Sequence, residues 1–539
     1  MGTPAMGEEH DLIVIGAGSS GCVLARRLAE DPSLRVLLIE AGAAEESMPA
    51  VQQAREWTSL LGGELDWNET YSPSERVDGR SIPIPRGRVV GGSSSINAML
   101  WYRGHPDDYD AWEAAGATGW NHAAMLPFFK RSEDWMRGEN EHRGVGGPMR
   151  IEVSPAPHPV AESLLTGAQE VGLPFIDDAN AQSNEGACLA NFNAVNVTSK
   201  PGAVTRLERW SAARGYLRPA ARWSNLKVMT GTTVRQLILE AGVCVGVRCR
   251  TGGEDRELRA SQGIVLASGA LGTPRLLMLS GLGPPQQLRE AGIVPKVDLP
   301  GVGANFQDHP LLRGMNFRMR QPLGPVRDNG GGAMLNWRSS QADHRPDLHV
   351  FVVQGVHAGP EVVRRYGIDP SDESICAISP GLMRSRSIGK IKLLSADGKM
   401  DIQPNYLEAP EDLSALVEGI DMVLDLAQTR SYRRILDGPL SPGGKLSRRE
   451  AEQFIRMSCD TFFHCCGSAA MGTDDRAVVT PDLQVRGVEN LWVADASVIP
   501  VIPTSNIQAP VIAVAERAAE LIRGRLGNTA DRPSLGSSL

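Results

Sequence analysis

The sequence predicts an α/β protein. A Rossmann-like nucleotide-binding domain is expected, with an inserted domain of antiparallel sheet and helices. Three observations predict this. Residues 10–42, HDLIVIGAGSSGCVLARRLAEDPSLRVLLIEAG, read as strand, glycine turn, helix and second strand, the order of a βαβ unit. Residues 263–283, GIVLASGALGTPRLLMLSGLG, again give a strand, a glycine turn and a helix. Away from these, apolar and polar residues alternate in runs that suit strands covered on one face.

Each element follows from local pattern. DLIVIG is a short apolar run of the buried-strand kind. In SSGCVLARRLAED, helical spacing brings Val23, Leu24 and Leu28 to one side. RVLLIE is a second buried strand. Residues 60–90 are rich in turn formers and lack a period, which suits a loop lying over a ligand. LKVMTGTTVRQLILEAGVCVGVRCR, 226–250, reads as strands joined by tight turns. DLHVFVVQGV at 347–356 and GKIKLLSA at 389–396 alternate as half-covered antiparallel strands do. Between 413 and 427 one helical face carries Leu413, Leu416, Ile420, Val423 and Ala427. NLWVADAS returns to a buried strand ending in an acid, and APVIAVAERAAELIRGRL makes the last helix. No internal repeat is visible. The expected organisation is a discontinuous nucleotide-binding domain over 8–150, 200–310 and 465–527, a substrate domain over 151–199 and 311–464, and a disordered tail over 528–539.

Bulk properties narrow the function. A chain of 539 residues needs more than one packed region. Its net charge of −8 argues against nucleic acid, which needs a basic face. No apolar run reaches the roughly 18 residues of a membrane span, and the N-terminus lacks the pattern of an export signal. The eight cysteines show no CxxC pairing, so neither a disulfide framework nor a zinc module is suggested. A reducing, cytoplasmic setting fits.

Gly16, Gly18 and Gly21 form GxGxxG between strand and helix. The first glycine permits the turn, the second leaves room for a pyrophosphate, and the third lets helix and strand pack closely. The helix N-terminus then offers free N–H groups to phosphate. Glu40 ends the next strand, where its carboxylate can accept from ribose hydroxyls. An acid there suits NAD or FAD and would repel the 2′-phosphate of NADP. Asp495 has two readings, a cofactor contact or a strand-end helix cap.

TFFHCCGSAAMG, at 461–472, sets one histidine against two cysteines. A metal site, a redox-active thiol pair and a catalytic histidine are all conceivable from this stretch alone. Adjacent cysteines rarely converge on one tetrahedral ion without strain, and bridging neighbours is strained as well.

GRVVGGSSSINAMLWYRG at 87–104, continuing through HPDDYD, resembles the first signature of the glucose-methanol-choline (GMC) oxidoreductase family. GALGTPRLLMLSGLG resembles its second. GVGANFQDHP at 301–310, IQPNYL at 402–407 and LWVADASVIP at 491–500 are also similar to family segments. The resemblance spans nearly the whole chain. It implies a flavoenzyme that binds FAD and oxidises an alcohol by hydride transfer to flavin N5. The electrons then pass to O2, giving H2O2, or to another acceptor.

By position, the resemblance places Gly16, Gly18, Ser19, Ser20 and Gly21 at the pyrophosphate, and Glu40 with Ala41 at the adenosine ribose. Arg88, Gly91, Gly92, Ser93, Asn97, Ala98 and Met99 fall along the ribityl chain and ring. Val234 meets the adenine, and Asp495 with Ala496 lies near the ribityl and pyrophosphate groups. Some members attach FAD covalently through a histidine in the double-glycine segment; Ile96 stands there, so non-covalent FAD is expected.

His464 falls on the family's catalytic base, a role that suits an imidazole largely neutral at working pH. The family's second active-site histidine or asparagine aligns with Gln508, just before Ala509 and Pro510. Gln508 is therefore expected to partner His464 and touch the cofactor, and Asn506 to serve the loop or the cofactor. Phe462, Phe463 and Trp101 are candidate apolar walls. The expected substrate is a small primary alcohol, with a lean on chemical grounds to one on an aromatic, allylic or heterocyclic carbon. The expected assembly is a monomer or homodimer. The competing readings are a hydroxynitrile lyase on the same scaffold and a nicotinamide dehydrogenase.

Overall fold

The structure, a computed structural model, describes residues 10–44, 48–198 and 206–530. The strand His10–Ile15 is buried along its whole length, as a parallel strand covered on both faces must be. It pairs in parallel with Val36–Ile39 on one side and Glu254–Leu266 on the other. Leu226–Met229 extends the sheet beyond Val36–Ile39, and Leu491–Val493 pairs in parallel with Glu254–Leu266. The first half of Glu254–Leu266 joins antiparallel ribbons with Val243–Thr251 and Thr232–Glu240, completing seven strands.

The glycine turn is sterically required. Gly16 has φ +96°, and a Cβ on it would lie 2.6 Å from the Ala267 carbonyl oxygen. A Cβ on Gly21 would lie 1.8 Å from the Gly16 oxygen, so only glycine lets the helix Ser19–Ala29 start so close to the strand. That helix buries Cys22, Val23, Leu24 and Leu28 and packs against the long last helix, Gln508–Ala530. The last helix thus continues past 527; the remainder of the expected tail, 531–539, lies outside the described residues.

A second sheet of eight strands runs, in spatial order, Leu436–Ser441, Asn316–Met319, Ile375–Leu382, Leu348–Val353, Ala333–Trp337 and Gly186–Leu189, with Pro310–Leu312 and Cys459–Thr461 joined at Ile375–Leu382. Its neighbours along this path pair antiparallel. The helix Pro410–Gln428 lays Leu416, Ile420, Val423 and Ala427 against one face, with Leu413 half-buried.

One expectation needs correcting. The strand Leu348–Val353 was read as covered on one face only, yet most of it is buried, and its neighbour Ile375–Leu382 is buried throughout. Helices cover one face, while the Phe462 ring closes part of the other: a Cβ on Gly381 would lie 2.0 Å from it. The pair Lys390–Leu393 and Met400–Gln403 does alternate, with Ile391 and Leu393 buried and Lys390 and Lys392 exposed. No described helix is long and apolar enough to cross a membrane.

Candidate active site

A cavity of about 670 Å³ opens at the carboxyl ends of His10–Ile15 and Val36–Ile39 and reaches the loop carrying His464. Open α/β sheets bind ligands at this end, and the volume is within the usual ~300–1,000 Å³ of cofactor and ligand sites. Gly16, Gly18, Ser19 and Ser20 line it, as do Glu40 and Ala41 just after the second strand. The double-glycine turn touches the first glycine turn: Gly91 N–H donates to Ala17 O at 2.7 Å, and a Cβ on Gly92 would lie 2.6 Å from Gly18 Cα. Two side-chain-free turns therefore meet at the wall, where Gly92, Ser93, Asn97, Ala98 and Met99 also stand. Val234, Asp495 and Ala496 line the same space.

The polar groups along this wall keep capacity for a dinucleotide. The Glu40 carboxyl accepts from Ala17 N–H at 2.9 Å and Gly42 N–H at 2.8 Å, which leaves lone pairs for ribose hydroxyls. Burial pushes its pKa up. Gln508 accepts from Ser19 Oγ at 3.0 Å, and its Nε2 is buried with no protein partner, a free donor at the start of the last helix. Asp495 accepts from Gly269 N–H at 2.8 Å, Thr273 Oγ1 at 2.6 Å and Ser497 N–H at 2.8 Å. It caps the short helix Ala496–Val498, so its helix-cap reading holds, and it also lies on the cavity wall. Burial raises its pKa.

His464 is built into a chain of hydrogen bonds. Its Nε2 lies 3.0 Å from Asn506 Nδ2, and its Nδ1 lies 2.9 Å from His309 Nδ1. An amide nitrogen can only donate, so Nε2 of His464 accepts. The neutral ring then carries its proton on Nδ1 and donates it to His309. Burial, followed by the nearby His309, Arg86 and His349, holds the His464 pKa well below the usual imidazole range. Burial, with the nearby His349 adding to it, takes His309 down to about 3. The result is a neutral imidazole with its lone pair on Nε2, beside the cavity.

Asp308 anchors this loop. Its Oδ1 accepts from the His309 and His464 N–H groups, at 2.9 and 2.7 Å, and its Oδ2 accepts from the hydroxyls of Tyr71, Tyr406 and Thr461. Phe463 sits at φ +66°, a conformation that non-glycine residues reach at a cost, and Arg86 donates to its carbonyl at 2.6 Å. Phe462 stacks on His464, with ring centroids 5.4 Å apart and planes 9° from parallel.

Several expected placements are corrected. The side chain against His464 is Asn506, not Gln508. The last helix begins at Gln508 and turns that residue toward Ser19, while Asn506 lies in the irregular segment before it. Arg88 is exposed, with its guanidinium 5.2 Å from the Trp67 ring, and does not line the cavity; Arg86 does. Gly21 and Gly91 act behind the wall, through packing. Trp101 is fully buried and donates to Glu133 at 3.1 Å, away from the cavity that Phe462 and Phe463 line. Ile96 lines the cavity.

Cys465 and Cys466 are buried, and burial raises both thiols, Cys465 to about 12. Such thiols are inert at neutral pH. Among the described residues no cluster of three or more His, Cys, Asp or Glu could hold a metal. Sequence reasoning missed His309 and Asp308, although both stand in GVGANFQDHP. It also missed Arg86, which directly precedes the double-glycine signature.

An α/β fold with a cofactor-sized cavity at the carboxyl ends of its first sheet is the setting, and the class follows from the family models: the chain belongs to the GMC oxidoreductase family. The family's N-terminal model matches residues 10–311 and its C-terminal model residues 385–515. Mitochondrial choline dehydrogenase from Homo sapiens is 34% identical, over 96% of this chain and 90% of that one. Oxygen-dependent choline dehydrogenase from Photobacterium profundum is 34% identical, over 98% and 95%. The crystal structure of pyridoxine 4-oxidase from Mesorbium loti matches with a TM-score of 0.89 and 31% identity, covering 96% of this chain and 99% of that one. The protein is an FAD-dependent oxidoreductase acting on CH–OH groups.

Proposed function

We propose that the protein oxidises a primary alcohol to an aldehyde, with His464 as the base. The observation that carries this reading is the neutral His464 with its Nε2 lone pair facing Asn506 at the cavity wall. FAD, when bound, would supply the hydride acceptor, with O2 or another compound as the final electron acceptor. The residues do the rest. The substrate hydroxyl takes the place of the Asn506 N–H at Nε2, and Nε2 accepts its proton as the substrate carbon loses hydride, a contribution of about 10²–10⁴-fold. His309 fixes the tautomer through Nδ1, and the Asn506 amide steadies the developing oxygen charge.

Gly16, Gly18, Ser19, Ser20 and Gln508 would hold the pyrophosphate region, Glu40 the ribose, and Gly92, Ser93 and Asn97 the ribityl chain and ring. The FAD is non-covalent, since Ile96 offers no nucleophile. In this reading the first sheet forms the cofactor domain and the second the substrate domain. Anaerobic addition of alcohol to the purified protein should bleach the flavin, and acid precipitation should release it. Cyanide release from a hydroxynitrile without bleaching would favour a lyase instead.

A further inference from the structure

We propose that the substrate end of the cavity takes an aromatic alcohol without positive charge and rejects a quaternary-ammonium alcohol such as choline. This rests on the alcohol-oxidising reading above. A buried trimethylammonium group needs a free carboxylate or an open aromatic cage. Among the described residues of the cavity wall no carboxylate is free, and the rings beside His464 line one side only.

Three carboxylates lie on the cavity wall among the described residues, and each is engaged. Glu40 and Asp495 accept backbone N–H groups at the nucleotide turns. Glu69 is ion-paired with Arg275. The two acids nearest the His464 loop, Asp308 and Asp460, are buried behind the wall, at 3% and 7% exposure. Asp308 is saturated by its donors, and Asp460 pairs with Arg313 at 3.2 Å. Arg313 itself lines the cavity, while its partner Asp460 does not. Arg86 adds a second guanidinium next to His464.

Beside His464 the rings of Phe462, Phe351 and His357 form a strip along one side; of the other aromatic residues on the wall, Trp67 already carries the Arg88 guanidinium at 5.2 Å and Trp57 donates to the Asn329 carbonyl. Phe462 spends one face on His464. Phe351 is tilted 59° to it at 5.7 Å, and His357 lies 5.6 Å beyond Phe351. Leu311, Met334 and Val356 add apolar surface. A flat ring stacks or packs edge-on along such a strip, and an arginine-lined pocket disfavours a like charge.

The test is anaerobic stopped-flow reduction of the FAD-loaded protein by choline, by its neutral isostere 3,3-dimethylbutan-1-ol, and by benzyl alcohol. The expected order in kred/Kd is benzyl alcohol first, then the isostere, then choline, with choline at least about tenfold below its isostere. Arg313→Gln should narrow that gap. Choline matching or exceeding its isostere overturns the inference while leaving the alcohol-oxidising reading intact. Bleaching by none of the three removes that reading and the inference with it. If Arg313→Gln fails to fold, the wild-type comparison of isostere and choline still decides.

Discussion

The contrast between Asn506 and Gln508 can be measured. Asn506→Ala removes the donor 3.0 Å from His464 Nε2. A neutral hydrogen bond of this kind stabilises by about 1 kcal/mol. A donor aimed at a developing oxyanion is worth more, about 2.7–4 kcal/mol, or 10²–10³ in rate. The amide beside Nε2 is placed to do both, so the limiting rate of flavin reduction should fall about 10²-fold. Gln508→Ala removes the acceptor of Ser19 Oγ at the nucleotide turn instead. It should weaken FAD binding by about 1 kcal/mol and change the limiting rate by less than about threefold. Anaerobic stopped-flow gives the rates, and flavin release on dilution gives the affinity. The reverse pattern, a large rate loss in Gln508→Ala and a small one in Asn506→Ala, would refute the placement of Asn506 as the partner.

Two further outcomes follow from packing and charge. Gly92→Ala puts a Cβ 2.6 Å from Gly18 Cα at φ +53°, so the variant should purify without its visible flavin absorbance; a fully yellow protein would count against the two-turn cradle. His309 and His349 have pKa values near 3, and His464 lies well below its usual range, all chiefly through burial. Below pH ~6.5 the unfolded chain binds protons that these folded imidazoles refuse, so stability is lost as pH falls. Each contributes up to about 1.4 kcal/mol per pH unit, and the thermal midpoint should drop between pH 7 and pH 5. The limiting reduction rate should stay flat above pH 6.5, because His464 is already neutral; a midpoint that rises on acidification, or a rate limb above 6.5, contradicts the buried neutral imidazoles.

The nucleotide half was legible because its chemistry is local. GxGxxG followed by Glu40 needs a strand, a turn and a helix in sequence order, and all three are visible as apolar runs and glycines. The alternation at 389–396 was legible for the same reason. The burial of 375–382 was not, because the Phe462 ring that covers Gly381 comes from a distant segment. His309 and Asp308 escaped notice because their roles depend on a strand, Pro310–Leu312, pairing with Cys459–Thr461 across the second sheet. Asn506 was misassigned through where the helix starts. Counting back from Pro510 selected Gln508, but that residue is the first of the helix, while Asn506 precedes it and can reach His464. Arg86 and Arg88 look equivalent as letters, and only tertiary contacts separate them: Arg88 lies over Trp67, while Arg86 donates to the Phe463 carbonyl at the cavity wall.

The most direct test of the account is single-turnover flavin reduction in His464→Ala. With FAD still bound, the limiting rate should fall by about 10²–10⁴-fold, the usual contribution of a positioned base. Reduction at close to the wild-type rate, with FAD bound in full, would contradict the assignment of His464 as the proton acceptor.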